Sequence, residues 1–122
     1  MSNKFDRPYR YINSLDSNKI SELFSLINNM DSQILKQFSL IHKIPLSTRD
    51  PNGDTLIHKI LQSDDSTKNE ILRLNIIKFL IQEGVNPDSP NSDNVTSLHL
   101  SCGKQYIQIT KYLIIQIIQR LI

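Results

Sequence analysis

Apolar residues recur every three or four positions through most of this chain, and the polar residues between them mark where each periodic stretch begins and ends. Ile20, Leu23, Phe24, Leu26 and Ile27 form one amphipathic stripe, with Asp16 or Ser17 placed to accept the free amides of a first helical turn. Asn28 and Asn29 close that stretch, Asp31 or Ser32 caps the next, and Ile34, Leu35, Phe38, Leu40 and Ile41 repeat the stripe up to Pro45. The pattern predicts two short helices back to back. A turn-rich stretch from Ser47 to Asp54 follows, in which Asp50, Pro51, Asn52 and Gly53 supply the residue types of a tight reversal.

Beyond the turn, Thr55 to Leu61 predicts a short helix, Gln62 to Asn69 a polar loop, and Ile71 to Gln82 a longer helix ending at Gly84. Proline, asparagine, aspartate and serine are concentrated again from Asn86 to Asn94. After them Thr96 to Cys102 and Tyr106 to about Ile118 predict a third pair. Helices of seven or eight residues are marginal alone, so neighbouring pairs must supply their core. Ile57, Ile60 and Leu61 are placed to meet Ile76, Phe79 and Leu80, with Leu98 and Ile109 extending the contact to the next layer.

Overlaying the segments shows the repetition directly. Gly53-Asp-Thr-Leu-Ile-His58 lies over Asn94-Val-Thr-Ser-Leu-His99 with threonine, an aliphatic residue and histidine in order. Both resemble the ankyrin signature Gly-x-Thr-Pro-Leu-His-x-Ala, and Phe79 to Asp88 resembles that family's leucine run followed by Gly-Ala-Asp and a hairpin. The resemblance is strongest from Asp50 to Ile114. It implies an all-α, ankyrin-like stack of about three helix pairs with hairpin-like connecting loops. It also assigns structural roles: Thr55 and Thr96 cap first helices, His58 and His99 brace neighbouring loops, Ile60 and Ser101 take the small inner position, and Gly84 ends a second helix. Departures are Leu56 and Ser97 in place of proline, Ile60 and Cys102 where alanine is preferred, and Asn94 in place of glycine. Thr55 and Thr96 are 41 positions apart, against a standard period of roughly 33. Residues 62–69 are the natural place for the surplus. Ile44 to Asp50 resembles the tail of one more repeat. The expected division is an extension at 1–16 and a single domain at 17–122, made of a capping repeat (17–49), a repeat with its insertion (50–90) and a last repeat (91–122).

Composition narrows the function classes. The chain has 122 residues, 14 basic and 12 acidic, for a formal charge of +2. That balance sets up no broad field for nucleic acid or anionic lipid, so neither nucleic acid nor membrane is expected as a partner. Met1 to Tyr11 lacks the apolar core of a secretory signal, and polar residues interrupt Ile107 to Ile122 well short of the roughly 20 apolar residues that span a bilayer. A single cysteine, Cys102, allows no intrachain disulfide, in keeping with a cytoplasmic or nuclear location. Alanine is absent while isoleucine, asparagine and lysine are abundant, the bias of an AT-rich genome such as a large DNA virus or an intracellular parasite, so the compartment could be a host cell's.

No catalytic, cofactor or metal site is expected. His58 and His99 are explained by the repeat, His42 sits at a helix end, and no close-spaced ligand pair joins them to Cys102. Cys102 itself is expected to be buried and inert. Asp64 and Asp65 lie among serines in a polar loop, and Gly53, Gly84 and Gly103 serve turns, not a phosphate cradle. What the resemblance leaves is a protein-binding surface at hairpin tips and the outward sides of first helices: Arg49, Asn52, Asp54 and Lys59 in one layer, Asn91, Asp93, Val95, Leu100 and Lys104 in the next. The last helix, with apolar residues on more than one face from Ile107 to Ile122, is a second candidate surface, for self-association or a hydrophobic partner.

Overall fold

The computed structural model describes residues 17–122, and the expected extension at 1–16 and a cap at Asp16 lie outside the described residues. Six α-helices follow one another, with no strand among the described residues: α1 (Ser17–Leu26), α2 (Ser32–His42), α3 (Leu56–Gln62), α4 (Glu70–Gln82), α5 (Ser97–Gly103) and α6 (Ile107–Leu121). They form three consecutive pairs. α3 packs on α5 and α4 on α6, so the pairs stack, and a 3-10 turn at Ile27–Asn29 docks α1 against α3. This is the all-α, ankyrin-like stack that the repeat pattern predicts.

Local chemistry sets each boundary. Asp31 caps α2, its carboxylate accepting from the amides of Gln33 at 2.9 Å and Ile34 at 3.4 Å. Thr55 and Thr96 cap α3 and α5 in the same way. Each threonine hydroxyl accepts from the amide of the histidine three residues on, and that histidine's Nδ1 accepts from the threonine's amide, at 3.0 Å for His58 and 3.1 Å for His99. Histidine thus completes a reciprocal capping box that usually ends in Glu or Gln. Asn69 caps α4.

One core runs through all three pairs. Leu23, Phe24 and Ile27 from the first, Ile57, Ile60, Leu61, Ile76 and Leu80 from the second, and Ile109 and Leu113 from the third are all buried in it. Phe79 and Leu98 sit at its edge. The stripe expected along α2 is narrower than the spacing suggested: Leu35 is buried and Phe38 packs beside it, but Leu40 and Ile41 are 68% and 72% exposed. At 100° per residue they fall more than a quarter-turn from Leu35, beyond the one side on which α2 is covered.

The insertion is held by a residue that the apolar pattern does not single out. Gln62 is already the last residue of α3, so the loop proper starts one position later. Arg73, 1% exposed, reaches from α4 to donate to the carbonyls of Ile60, Lys68 and Asp65, the last two at 2.8 and 2.9 Å. Its guanidinium also lies 5.5 Å from the centre of the Tyr106 ring. One buried cation therefore satisfies the loop's inward carbonyls and ties them to the third pair.

Candidate functional site

The two hairpins that project beside the helices are built alike, one repeat apart. Asp50 Oδ1 accepts from the amides of Asn52 and Asp54, both at 2.9 Å, and Asn91 Oδ1 accepts from those of Asp93 and Val95 at 2.9 and 3.0 Å. The amide of Asp50 donates to the Asp54 carbonyl, and that of Asn91 to Val95. The turns close through residues with positive φ, Gly53 at 77° and Asn94 at 62°. Asn94 stands where glycine is usual because asparagine tolerates the left-handed region better than other side chains.

The hairpins are bonded to each other. The amide of Ser92 donates to the Asn52 carbonyl at 3.0 Å, Asn91 Nδ2 to Asp54 Oδ1 at 2.8 Å, and Arg49 Nη1 to the Pro90 carbonyl at 3.0 Å. Beneath them His58 Nε2 meets the Val95 carbonyl at 2.8 Å. Because His58 Nδ1 accepts from Thr55, Nε2 carries the hydrogen and donates. The bracing role that the resemblance implied for His58 is thus visible in its contacts. His99 forms the same cap but is exposed, and among the described residues its Nε2 has no partner.

Of the expected surface positions, Arg49, Asn52 and Asp93 are exposed. Lys59 is half-buried, with its ammonium 3.5 Å from Asp50 and 4.0 Å from Asp54. Asn91, Val95, Leu100 and Lys104 are also half-buried; Leu100 packs on the core, and Lys104 pairs with Asp64. Asp54 is a correction. It is 3% exposed, held by Asn91 and Gln62, and joins the two hairpins from within instead of facing a partner. Cys102 is the opposite correction, exposed where burial was expected. Counted from the histidines, Ser101 is the equivalent of Ile60 and is buried like it, while Cys102 is the equivalent of Leu61, which the third pair covers, whereas no described element covers Cys102.

A groove of ≈1340 Å³ lies between α1, the first hairpin with the segment leading into it, and the C-terminal half of α3. Arg49 and Lys59 from the expected set line it. So do Ile20, Phe24 and the hydroxyls of Ser17, Ser21 and Ser25, which the motif comparison did not reach because it starts at Asp50. Their signal was present in the sequence: three serines at a spacing of four form one polar stripe along a helix. Lys43 adds a third cation to Arg49 and Lys59. No group of three or more metal-ligating side chains converges among the described residues, and no described helix is long and apolar enough to cross a membrane.

Short capped helix pairs joined by mutually bonded hairpins define a helical-repeat protein. Comparison with known proteins gives the same class. A protein of Acanthamoeba polyphaga mimivirus named for ankyrin repeats is 36% identical over 81 residues, which are 65% of this chain and 4% of that protein. A protein of Rickettsia bellii, also named for ankyrin repeats, is 29% identical over 103 residues, 82% of this chain and 27% of that protein. The chain therefore spans about a quarter of the length of one relative and far less of the other. No family model and no solved structure matches it.

Proposed function

We propose that this chain is a divergent ankyrin-type module that binds another protein non-catalytically, as an adaptor or regulator, through its hairpin tips and the concave groove. The observation that carries this reading is the pair of hairpins bonded edge to edge, which hold Arg49, Asn52 and Asp93 outward beside a groove walled by α1 and α3. Rigid presentation lowers the ordering cost that a binding surface must overcome. The relatives' names support an interaction role, and the matching hairpins at 50–54 and 91–95 support a division at 17–49, 50–90 and 91–122. A cytoplasmic or nuclear site of action, of a host cell if the source is a virus or parasite, goes with the same reading. The test is affinity capture with the intact chain followed by quantitative binding of each captured protein to the variant Arg49→Glu, Asn52→Ala, Asp93→Ala. A true partner loses about 10-fold or more in affinity, as when a hot-spot residue is removed; equal binding to both chains sinks the reading.

A second reading, a subunit that associates through α6, is favoured by the exposure of Ile107, Ile114, Ile115 and Ile118 on that helix. Light scattering across a concentration series tests it. A rise in mass towards twice 14.1 kDa supports it, and a constant mass of 14.1 kDa removes it.

A further inference from the structure

The groove beside α1 has a charge character that neither the fold nor the repeat motif sets. Among the described residues, its three cations, Lys43, Arg49 and Lys59, share the lining with a single carboxylate, that of Asp50. Both oxygens of that carboxylate are engaged: Oδ1 accepts from the amides of Asn52 and Asp54, and Oδ2 lies 3.5 Å from Lys59. The same contact balances Lys59, with Asp54 at 4.0 Å. Lys43 and Arg49 are exposed and form no ion pair among the described residues. Arg49 donates from one terminal nitrogen to the Pro90 carbonyl, which fixes the guanidinium and leaves its other N–H groups for a ligand. The hydroxyls of Ser21, Ser25 and Ser47 line the same groove and can donate as well.

We infer that the groove takes a segment of a partner protein in which an apolar side chain is flanked by aspartate or glutamate. The carboxylates pair with Lys43 and Arg49, and the apolar side chain sits on the apolar part of the lining, Ile20, Phe24 and Pro45. This rests on the reading of the groove as a protein-binding surface and adds the chemistry of what binds there. At ≈1340 Å³ the groove exceeds the roughly 300–1,000 Å³ of a small-molecule cleft, so it has room for several residues of a chain. Lys43 and Arg49 alone make too short a track for nucleic acid, whose affinity comes from many phosphate contacts, and a phosphate backbone leaves an apolar lining unmatched. Charge complementarity of this kind sets partner choice and association rate.

The test pans phage-displayed random peptides on three full-length chains: the parent, the groove variant Lys43→Glu, Arg49→Glu, and a control with the same charge change on α6, Lys111→Glu, Arg120→Glu. Circular dichroism checks that each keeps the parent's helical spectrum. Peptides enriched on the parent and on the control are expected to carry Asp or Glu beside an apolar residue, and those enriched on the groove variant to carry Lys or Arg instead. The neutral variant Lys43→Gln, Arg49→Gln keeps the side-chain bulk and loses the acidic preference. A peptide selected on the parent binds the groove variant about 10-fold or more weakly, loses as much when its own acids become Asn or Gln, and weakens as salt is raised. Selected peptides with no acidic enrichment that still bind the groove variant more weakly overturn the acidic specificity and leave the groove as a binding surface. Selected peptides that bind both groove variants as tightly as the parent overturn the groove itself as the site, as does a failure to enrich any peptide. Displacement of the selected peptide by a single-stranded oligonucleotide, or a doubling of the parent's mass that Lys43→Glu, Arg49→Glu abolishes, also overturns the inference, since nucleic acid or a second copy would then be the occupant.

Discussion

Glu70, at the start of α4, accepts a hydrogen bond at 3.0 Å from the amide of Ile109, in the first turn of α6. Tyr106 occupies the N-cap of α6 and provides no side-chain acceptor, so the capping group arrives from the preceding repeat. Repeat stacking and helix capping are here the same contact. Replacing Glu70 with Ala leaves that amide without its partner and removes a negative charge from the positive end of the helix dipole, at a cost of about 1 kcal/mol. Glu70→Gln keeps an acceptor and recovers part of the loss. Urea denaturation of both variants checks the order.

Arg73 is the strongest single tie between the insertion and the stack. Arg73→Met keeps the apolar stem but leaves the carbonyls of Ile60, Asp65 and Lys68 facing inward without a donor. The expected cost is about 3 kcal/mol. Arg73→Lys does not rescue it, because one ammonium cannot reproduce the planar fork that reaches all three. Thermal unfolding followed by circular dichroism distinguishes this from a surface role, in which both variants would melt like the parent.

Two glycines with positive φ separate backbone strain from crowding. A Cβ at Gly84, φ 100°, meets nothing within 4 Å, so Gly84→Ala carries only the left-handed penalty, about 1 kcal/mol. A Cβ at Gly53, φ 77°, would lie 2.9 Å from the amide nitrogen of Ser92, which is the atom bonded across the seam to Asn52. Gly53→Ala is expected to cost about 2 kcal/mol or more, because the hairpins must part. Equal denaturation midpoints for the two variants would count against the seam.

Two carboxylates of the insertion loop are expected to respond to acid. A hydrogen bond from Lys104, reinforced by its charge, holds Asp64 below the ordinary carboxylate value of 3.8, and hydrogen bonds from the Thr67 hydroxyl and amide do the same for Asp65. Both are depressed on folding, so their contribution is fully present above pH 3.8 and is lost as pH falls through the lower folded values. The double variant Asp64→Asn, Asp65→Asn should be slightly less stable than the parent at about pH 5, with the difference closing as pH falls below 3.8. Both groups are exposed, so the difference shrinks in high salt.

The sequence by itself determined the helix pairs, because capping residues and apolar spacing act within a few positions: Thr55 and Thr96 cap as placed and Asp31 is the one of its two candidates that caps, while Asn69, read as loop, proved to be a cap as well. It also determined the repeat. Thr55 and His58 recur as Thr96 and His99 because the same local box must form twice, and one resemblance sufficed to expect the brace at His58. One residue of the surface set was out of reach. Asp54 reads as an exposed hairpin residue, and only the stacking of Asn91 against it shows that its carboxylate is interior. Cys102 holds the register of the buried Leu61, and its exposure depends on whether a further layer covers it, which the motif does not tell. Arg73, Glu70 and the serine stripe of α1 owe their roles to partners 5 to 39 positions away, or to a groove shared by three elements. Tertiary structure decided those, since a carbonyl, an amide or a concave wall from another segment exists only once the layers are stacked. The difference between His58 and His99, two residues with the same local sequence and the same cap, comes from whether a further layer lies against them.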